Sequence, residues 1–65
     1  MNLLEEQKIE MAKDIAEVRE TGETNMFDYY AVVRILHDLH HEETSNYLWH
    51  NKKEFMNLLI LSGKY

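Results

Sequence analysis

Glu20-Thr21-Gly22-Glu23-Thr24-Asn25-Met26-Phe27-Asp28 ends one helix, turns the chain and starts another, and the rest of the sequence is legible outward from it. Gly22 follows a long amphipathic run, where a helix needs a residue that tolerates left-handed backbone, so it reads as a helix stop. Thr24, Asn25 and Asp28 carry short oxygen-bearing side chains that accept from the free N–H groups of a new helix. Two starts fit. With Asn25 as N-cap, Asp28 takes the third helical position, a capping box with aspartate in place of the usual glutamate or glutamine. With Asp28 as N-cap, Phe27 precedes the cap and Val32 is the fourth helical residue, the pair that makes a hydrophobic staple. The second start is preferred, with Met26 and Phe27 folding the turn onto the core.

Thr21-Gly22-x-Thr24-Asn25-Met26-Phe27-Asp28 also resembles the signature of a family of small uncharacterised proteins from Gram-positive bacteria and their phages, a domain of unknown function. The resemblance runs from about Ile9 to Gly63 and takes in Tyr47-Leu48 and the ending Leu61-Ser62-Gly63. It implies a short helical domain of phage or prophage origin, and it transfers no catalytic residue. The tract from His37 to His41 and the Trp49-His50 pair lie outside that pattern.

Before the joint, Leu4, Met11, Ile15 and Val18 recur on one face of a helix expected over residues 3–20, with the stem of Lys8 between the first two. Ile9, Ala12 and Ala16 form a second stripe, where small residues allow a neighbouring helix to approach closely. Glu6, Glu10, Asp14 and Glu17 line the opposite side. Such a line is ordinarily a solvated face. As a functional element it is an acidic ridge that meets a basic partner or imitates nucleic-acid phosphates.

After the joint, Val32, Ile35, Leu36 and Leu39 predict a helix over 29–40, with Tyr29 at the edge of the buried stripe and His37, Asp38 and His41 facing outward. Tyr30 points away from that stripe and, with Arg34, makes a candidate contact surface. The pattern breaks between His40 and Thr44 without glycine or proline, which reads as a turn. A short helix over 43–50 then places Tyr47 and Leu48 inward. Asn51, with Glu54 three residues on, predicts a capped helix over 52–61 that ends before Gly63. The run Leu58-Leu59-Ile60-Leu61 fits a buried strand on periodicity alone, but no partner strand exists. The expected fold is therefore all-α, a compact bundle of about four helices in a single domain over residues 1–65. In the fourth helix Phe55, Leu58 and Leu59 form the core stripe, while Met56 and Ile60 point well away from it. Two arrangements hide that second strip. Either a homodimer packs Met56 and Ile60 on their own copy, with Trp49 or Tyr65 at the rim, or the first helix covers them with Ile9, Ala12 and Ala16.

The chain has 65 residues, no cysteine and no proline, so disulfides and thiolate zinc sites are excluded as staples and a reducing cytoplasm is the natural setting. No apolar segment approaches the roughly 20 residues that span a bilayer, and the N-terminus lacks a signal-peptide pattern. A soluble cytoplasmic protein is expected, in the host cell if phage-encoded. The formal charge of −5 argues against a broad phosphate-neutralising patch and for a protein partner.

Candidate chemistry is sparse. His37, His40, His41 and His50, beside Glu42 and Glu43, are the only cluster that suggests a metal. His37 and His41 stand four apart on one helical face, but no third ligand is fixed by local spacing and the His-Glu-x-x-His order is absent. Surface histidines are expected, with no metal and no cofactor. Ala31 to Leu36, a turn, and Thr44 to Leu48 have the rhythm of a helix-turn-helix, yet no basic residue follows until Lys52 and Lys53. No activated nucleophile, glycine-rich phosphate loop or paired-carboxylate setting appears, and so short a chain does not easily enclose a recess of several hundred cubic ångströms. An enzyme is not expected. The function expected is a small phage- or prophage-type protein-interaction module that inhibits or modulates a host protein. The alternative is a small helix-turn-helix-like regulator that binds nucleic acid.

Overall fold

Four helices in chain order, α1 (Glu5–Thr21), α2 (Tyr29–Asp38), α3 (Glu42–His50) and α4 (Phe55–Ser62), make up the computed structural model, which describes residues 3–65. A single 3₁₀ turn, Lys52–Glu54, leads into α4. No strand occurs among the described residues, so the all-α expectation holds. The helices pack into a body of 30 × 23 × 20 Å.

Leu4, just before α1, has no side-chain oxygen to cap it. Gln7 Oε1 instead accepts the Leu4 N–H at 2.9 Å, the reach-back half of a capping box. Glu5 and Glu6 set negative charge at the positive end of the helix dipole. Met11, Ile15 and Val18 are buried as expected. Leu4 is not: it stands 69% exposed before the first turn, and Leu3 packs on the core instead. Ala12 and Ala16 are buried. They lie on the helix between Arg19, whose Nη1 donates to the Ser62 carbonyl at 3.4 Å, and Lys13, whose Nζ sits 5.7 Å from the Tyr65 ring centroid. Both cations reach the end of α4, so the alanines face α4 and permit the close α1–α4 packing on which the bundle is built.

The core joins those α1 residues to Val32, Val33, Ile35 and Leu36 of α2, Leu48 of α3, and Phe55 and Leu58 of α4. Each large aliphatic side chain so buried contributes about 1.5 to 3 kcal/mol. Buried hydroxyls enter with partners. Ser45 Oγ donates to the Val33 carbonyl at 3.1 Å, Ser62 Oγ to the Leu59 carbonyl, and the Tyr29 hydroxyl to the Leu48 carbonyl. Among the described residues no buried side-chain nitrogen or oxygen lacks a partner, as a small core requires.

At the first joint Gly22 takes φ +66, the left-handed stop expected of it. Asp28 Oδ1 accepts the Ala31 N–H at 3.2 Å, so the start is the one capped by Asp28. Asn25 makes the preceding turn instead, its side chain accepting the Phe27 N–H at 2.8 Å and its carbonyl the Asp28 N–H at 2.9 Å. The staple fails, because Phe27 is 72% exposed while Val32 is fully buried. Met26 alone folds back onto the core.

Other local expectations are corrected. α2 stops at Asp38 rather than His40, because His40 adopts φ +67. Asn51 does not cap the last helix: its Nδ2 donates back to the Tyr47 carbonyl at 2.9 Å, and Glu54 accepts from Asn57 at 3.2 Å rather than reaching back. Without that box the first turn tightens to 3₁₀ and the α-helix begins only at Phe55. Gly63 follows α4 at φ −61, so it is no left-handed stop.

Candidate functional site

Two surfaces stand out. The first is aromatic. The Asp28 cap starts α2 so that Tyr29 turns into the core and Tyr30, one residue on, turns out. The Tyr29 ring meets Phe55 edge-on at 5.3 Å between centroids, Tyr30 meets Tyr29 at 5.1 Å, and Trp49 of α3 meets Tyr30 at 6.2 Å. Lys52 lays its ammonium 5.2 and 5.1 Å from the Tyr29 and Tyr30 centroids, within cation–π range. A continuous aromatic chain thus runs from the core to the surface, ending in Trp49, which is 56% exposed. Burial pushes the Tyr29 hydroxyl above its ordinary value, Lys52 offsets part of this, and Tyr30 adds to it.

Met56 and Ile60 lie on the outside of α4. Both are exposed, Ile60 by 70%. The arrangement in which α1 covers this strip is therefore not the one adopted, since Ala12 and Ala16 are already buried against α4. Tyr30 and Arg34 are both exposed as expected, and the Tyr30 ring packs with Tyr29, Trp49 and Lys52.

The second surface is acidic. Glu6, Glu10 and Asp14 form one wall of an open cleft of about 570 Å³ whose other wall carries Glu42 and Glu43 of α3. Glu6, Glu10 and Glu17 are exposed, as a solvated ridge should be, and the cleft beside them is open rather than enclosed. At one end of the ridge the acids are engaged. Thr44 Oγ1 donates to Asp14 Oδ2 at 2.7 Å. His41 Nε2 lies 2.7 Å from Glu17 Oε2, and His41 Nδ1 lies 3.5 Å from Asp14 Oδ1. His41, expected to face outward, is only 25% exposed at its side chain. Its pairing with His37 along one helix face is not made, because the left-handed His40 takes His41 out of the α2 register, and His37 stands beside Asp38 at 4.0 Å. Sequence spacing misses this cluster because its members are 24 and 27 positions apart (41 − 17 and 41 − 14). The only local signal is Thr44, a small hydroxyl residue that proves buried.

Residues 5–64 match the sequence profile of a domain of unknown function, DUF5049. The chain belongs to the DUF5049 family. No curated protein and no solved structure matches it. In this DUF5049 member the matched residues take in all four helices, so the aromatic face and the acidic cleft both lie within the matched span. The expected membership of an uncharacterised family holds. No described helix is long and apolar enough to cross a membrane.

Proposed function

We propose that the chain is a small protein-interaction module of phage or prophage type, acting in the host cytoplasm by binding and modulating a host protein. The observation that carries this reading is the exposed pair Tyr30 and Trp49, packed edge to face with Lys52 held across the tyrosines, together with the exposed Met56 and Ile60 of α4. Large exposed apolar residues that cluster, rather than scatter, mark contact surfaces. Tryptophan and tyrosine are the residues that most often anchor them. Here the rings are already packed edge to face, so little side-chain freedom is lost on binding. Glu6 and Glu10 supply a separate charged surface for orientation.

The helix-turn-helix alternative has less support. Its would-be recognition helix, α3, presents Glu42 and Glu43 in its first turn, where like charge would meet phosphate. Capture from a Gram-positive host lysate tests the preferred reading. Wild-type protein should retain a specific partner that Trp49→Ala with Ile60→Lys loses and that Glu6→Gln with Glu10→Gln keeps or weakens. Equal capture by the first variant overturns the assignment of the face, and a mobility shift on nucleic acid at low salt would favour the alternative.

The same strip suits an isologous homodimer, in which Met56 and Ile60 pack on their own copy with Trp49 at the rim. Fully burying two such side chains is worth up to roughly 6 kcal/mol, a large share of the stability of a domain this size. Sedimentation decides it: wild type should sediment as a dimer and Met56→Glu with Ile60→Lys as a folded monomer. A wild type that stays monomeric at high micromolar concentration removes the dimer.

A further inference from the structure

Asp14, Glu17 and His41 each offer one donor atom, and the three atoms lie within 4.8 Å of one another. This is not a run of surface acids. The set mixes an imidazole with two carboxylates, and the imidazole comes from beyond the second joint. His41 Nε2 is hydrogen-bonded to Glu17 Oε2 at 2.7 Å, and its Nδ1 lies 3.5 Å from Asp14 Oδ1.

We propose that Asp14, Glu17 and His41 bind a divalent d-block cation of the zinc type, which clips α1 to the start of α3. The donor chemistry suits it, since zinc takes imidazole nitrogen and carboxylate oxygen at about 2.0 to 2.2 Å. Donors in such a site stand about 3.4 Å apart, the edge of a tetrahedron with those bonds, so the His41–Glu17 pair at 2.7 Å must open slightly while the wider separations, within 4.8 Å, close. Thr44 holds the far oxygen of Asp14 at 2.7 Å, the outer contact that orients a metal-binding carboxylate. Glu6, Glu10, Glu42 and Glu43 across the adjoining cleft raise the local concentration of cations and leave room for a water as fourth ligand. A chain with no cysteine and so small a core is also the kind that gains most from a metal staple. The site goes beyond the interaction reading and does not depend on it.

The test is titration of zinc and of cobalt into untagged protein. Expected are one cation per chain by calorimetry, a melting midpoint raised by several degrees at saturating zinc, and cobalt d–d bands of low-coordinate intensity. His41→Gln and Asp14→Asn should each weaken binding at least tenfold, whereas His37→Gln should leave it unchanged. Glu17→Gln, at the more exposed carboxylate, serves if the first two fail to fold. No midpoint shift and no cobalt spectrum in wild type overturns the site. Binding that survives His41→Gln places the ion on other histidines and overturns it as well.

Discussion

Gly22 and His40 hold nearly the same backbone, φ +66 and +67, at the ends of α1 and α2, and the two joints reach that conformation by different means. After α2 the closure is direct. The His41 N–H reaches the Leu36 carbonyl at 2.9 Å and the His40 N–H reaches the His37 carbonyl at 3.0 Å, the paired bonds of a Schellman motif. After α1 only the inner bond is made, from the Gly22 N–H to the Arg19 carbonyl at 3.2 Å. The outer one passes through a side chain: the Thr21 hydroxyl donates to the Val18 carbonyl at 2.6 Å and accepts the Glu23 N–H at 3.2 Å. Glycine enters the left-handed region without steric cost. Histidine enters it at about 1 to 2 kcal/mol, so its joint needs both direct bonds and the side-chain clasp of His41 on Asp14 and Glu17.

The comparison is broken most strongly at the glycine. Gly22→Val should lower stability by about 1 to 2 kcal/mol, read as a falling melting midpoint with exposed surfaces unchanged. A Cβ at Gly22 would meet nothing within 4 Å, so the loss is conformational and crowding adds nothing to it. An unchanged midpoint would mean that the joint tolerates a β-branched residue at positive φ, and the contrast with His40 would disappear.

Asp28 fixes the other end of the same joint, and Asp28→Ala should cost about 1 kcal/mol. Denaturant melts at pH 7 check it. A loss near zero would mean that the Asn25 turn alone sets where α2 begins.

Tyr29 follows that cap and bonds to Leu48 of α3, so it spans both joints. Tyr29→Phe should cost about 1 kcal/mol by removing the bond to the Leu48 carbonyl. The raised value of its hydroxyl fixes the pH dependence. Below the ordinary tyrosine value of 10.0 both states keep the proton and the contribution is complete. As pH rises through and beyond that value the unfolded chain releases its proton first, so stability falls. Tyr47, shifted the same way by burial and by Glu54, retains its share in the variant. The alkaline decline should therefore be shallower in Tyr29→Phe but not absent.

The two joints also mark what is legible in the sequence. Gly22 and Asp28 announce themselves by residue type, and the periodic stripes of α1 and α2 follow from them. Met56 and Ile60 are legible as outward residues because 100° per residue is geometry alone. Phe27 and Leu4 are misread because an apolar residue next to a helix end is indistinguishable, by spacing, from one that packs. The Asn51–Glu54 box is misread because Asn51 has a competing local acceptor in the Tyr47 carbonyl. The cluster of Asp14, Glu17 and His41 is invisible for a different reason: it depends on a left-handed histidine that no local spacing marks and on contacts between distant positions.

The finest test acts on that histidine. His40→Gly removes the steric cost of the left-handed backbone, about 1 to 2 kcal/mol, but adds freedom to the unfolded chain worth roughly 0.5 to 1 kcal/mol. The net expectation is a gain of about 0.5 kcal/mol, a melting midpoint higher by a few degrees in a chain of this size. His40→Ala is the control, since it removes the imidazole without relieving the backbone and should bring no gain. If glycine stabilises and alanine does not, the second joint is held in its conformation by the surrounding bonds rather than by its own residue. If both leave the midpoint unchanged, His40 carries no strain, and the turn is as relaxed as the one at Gly22.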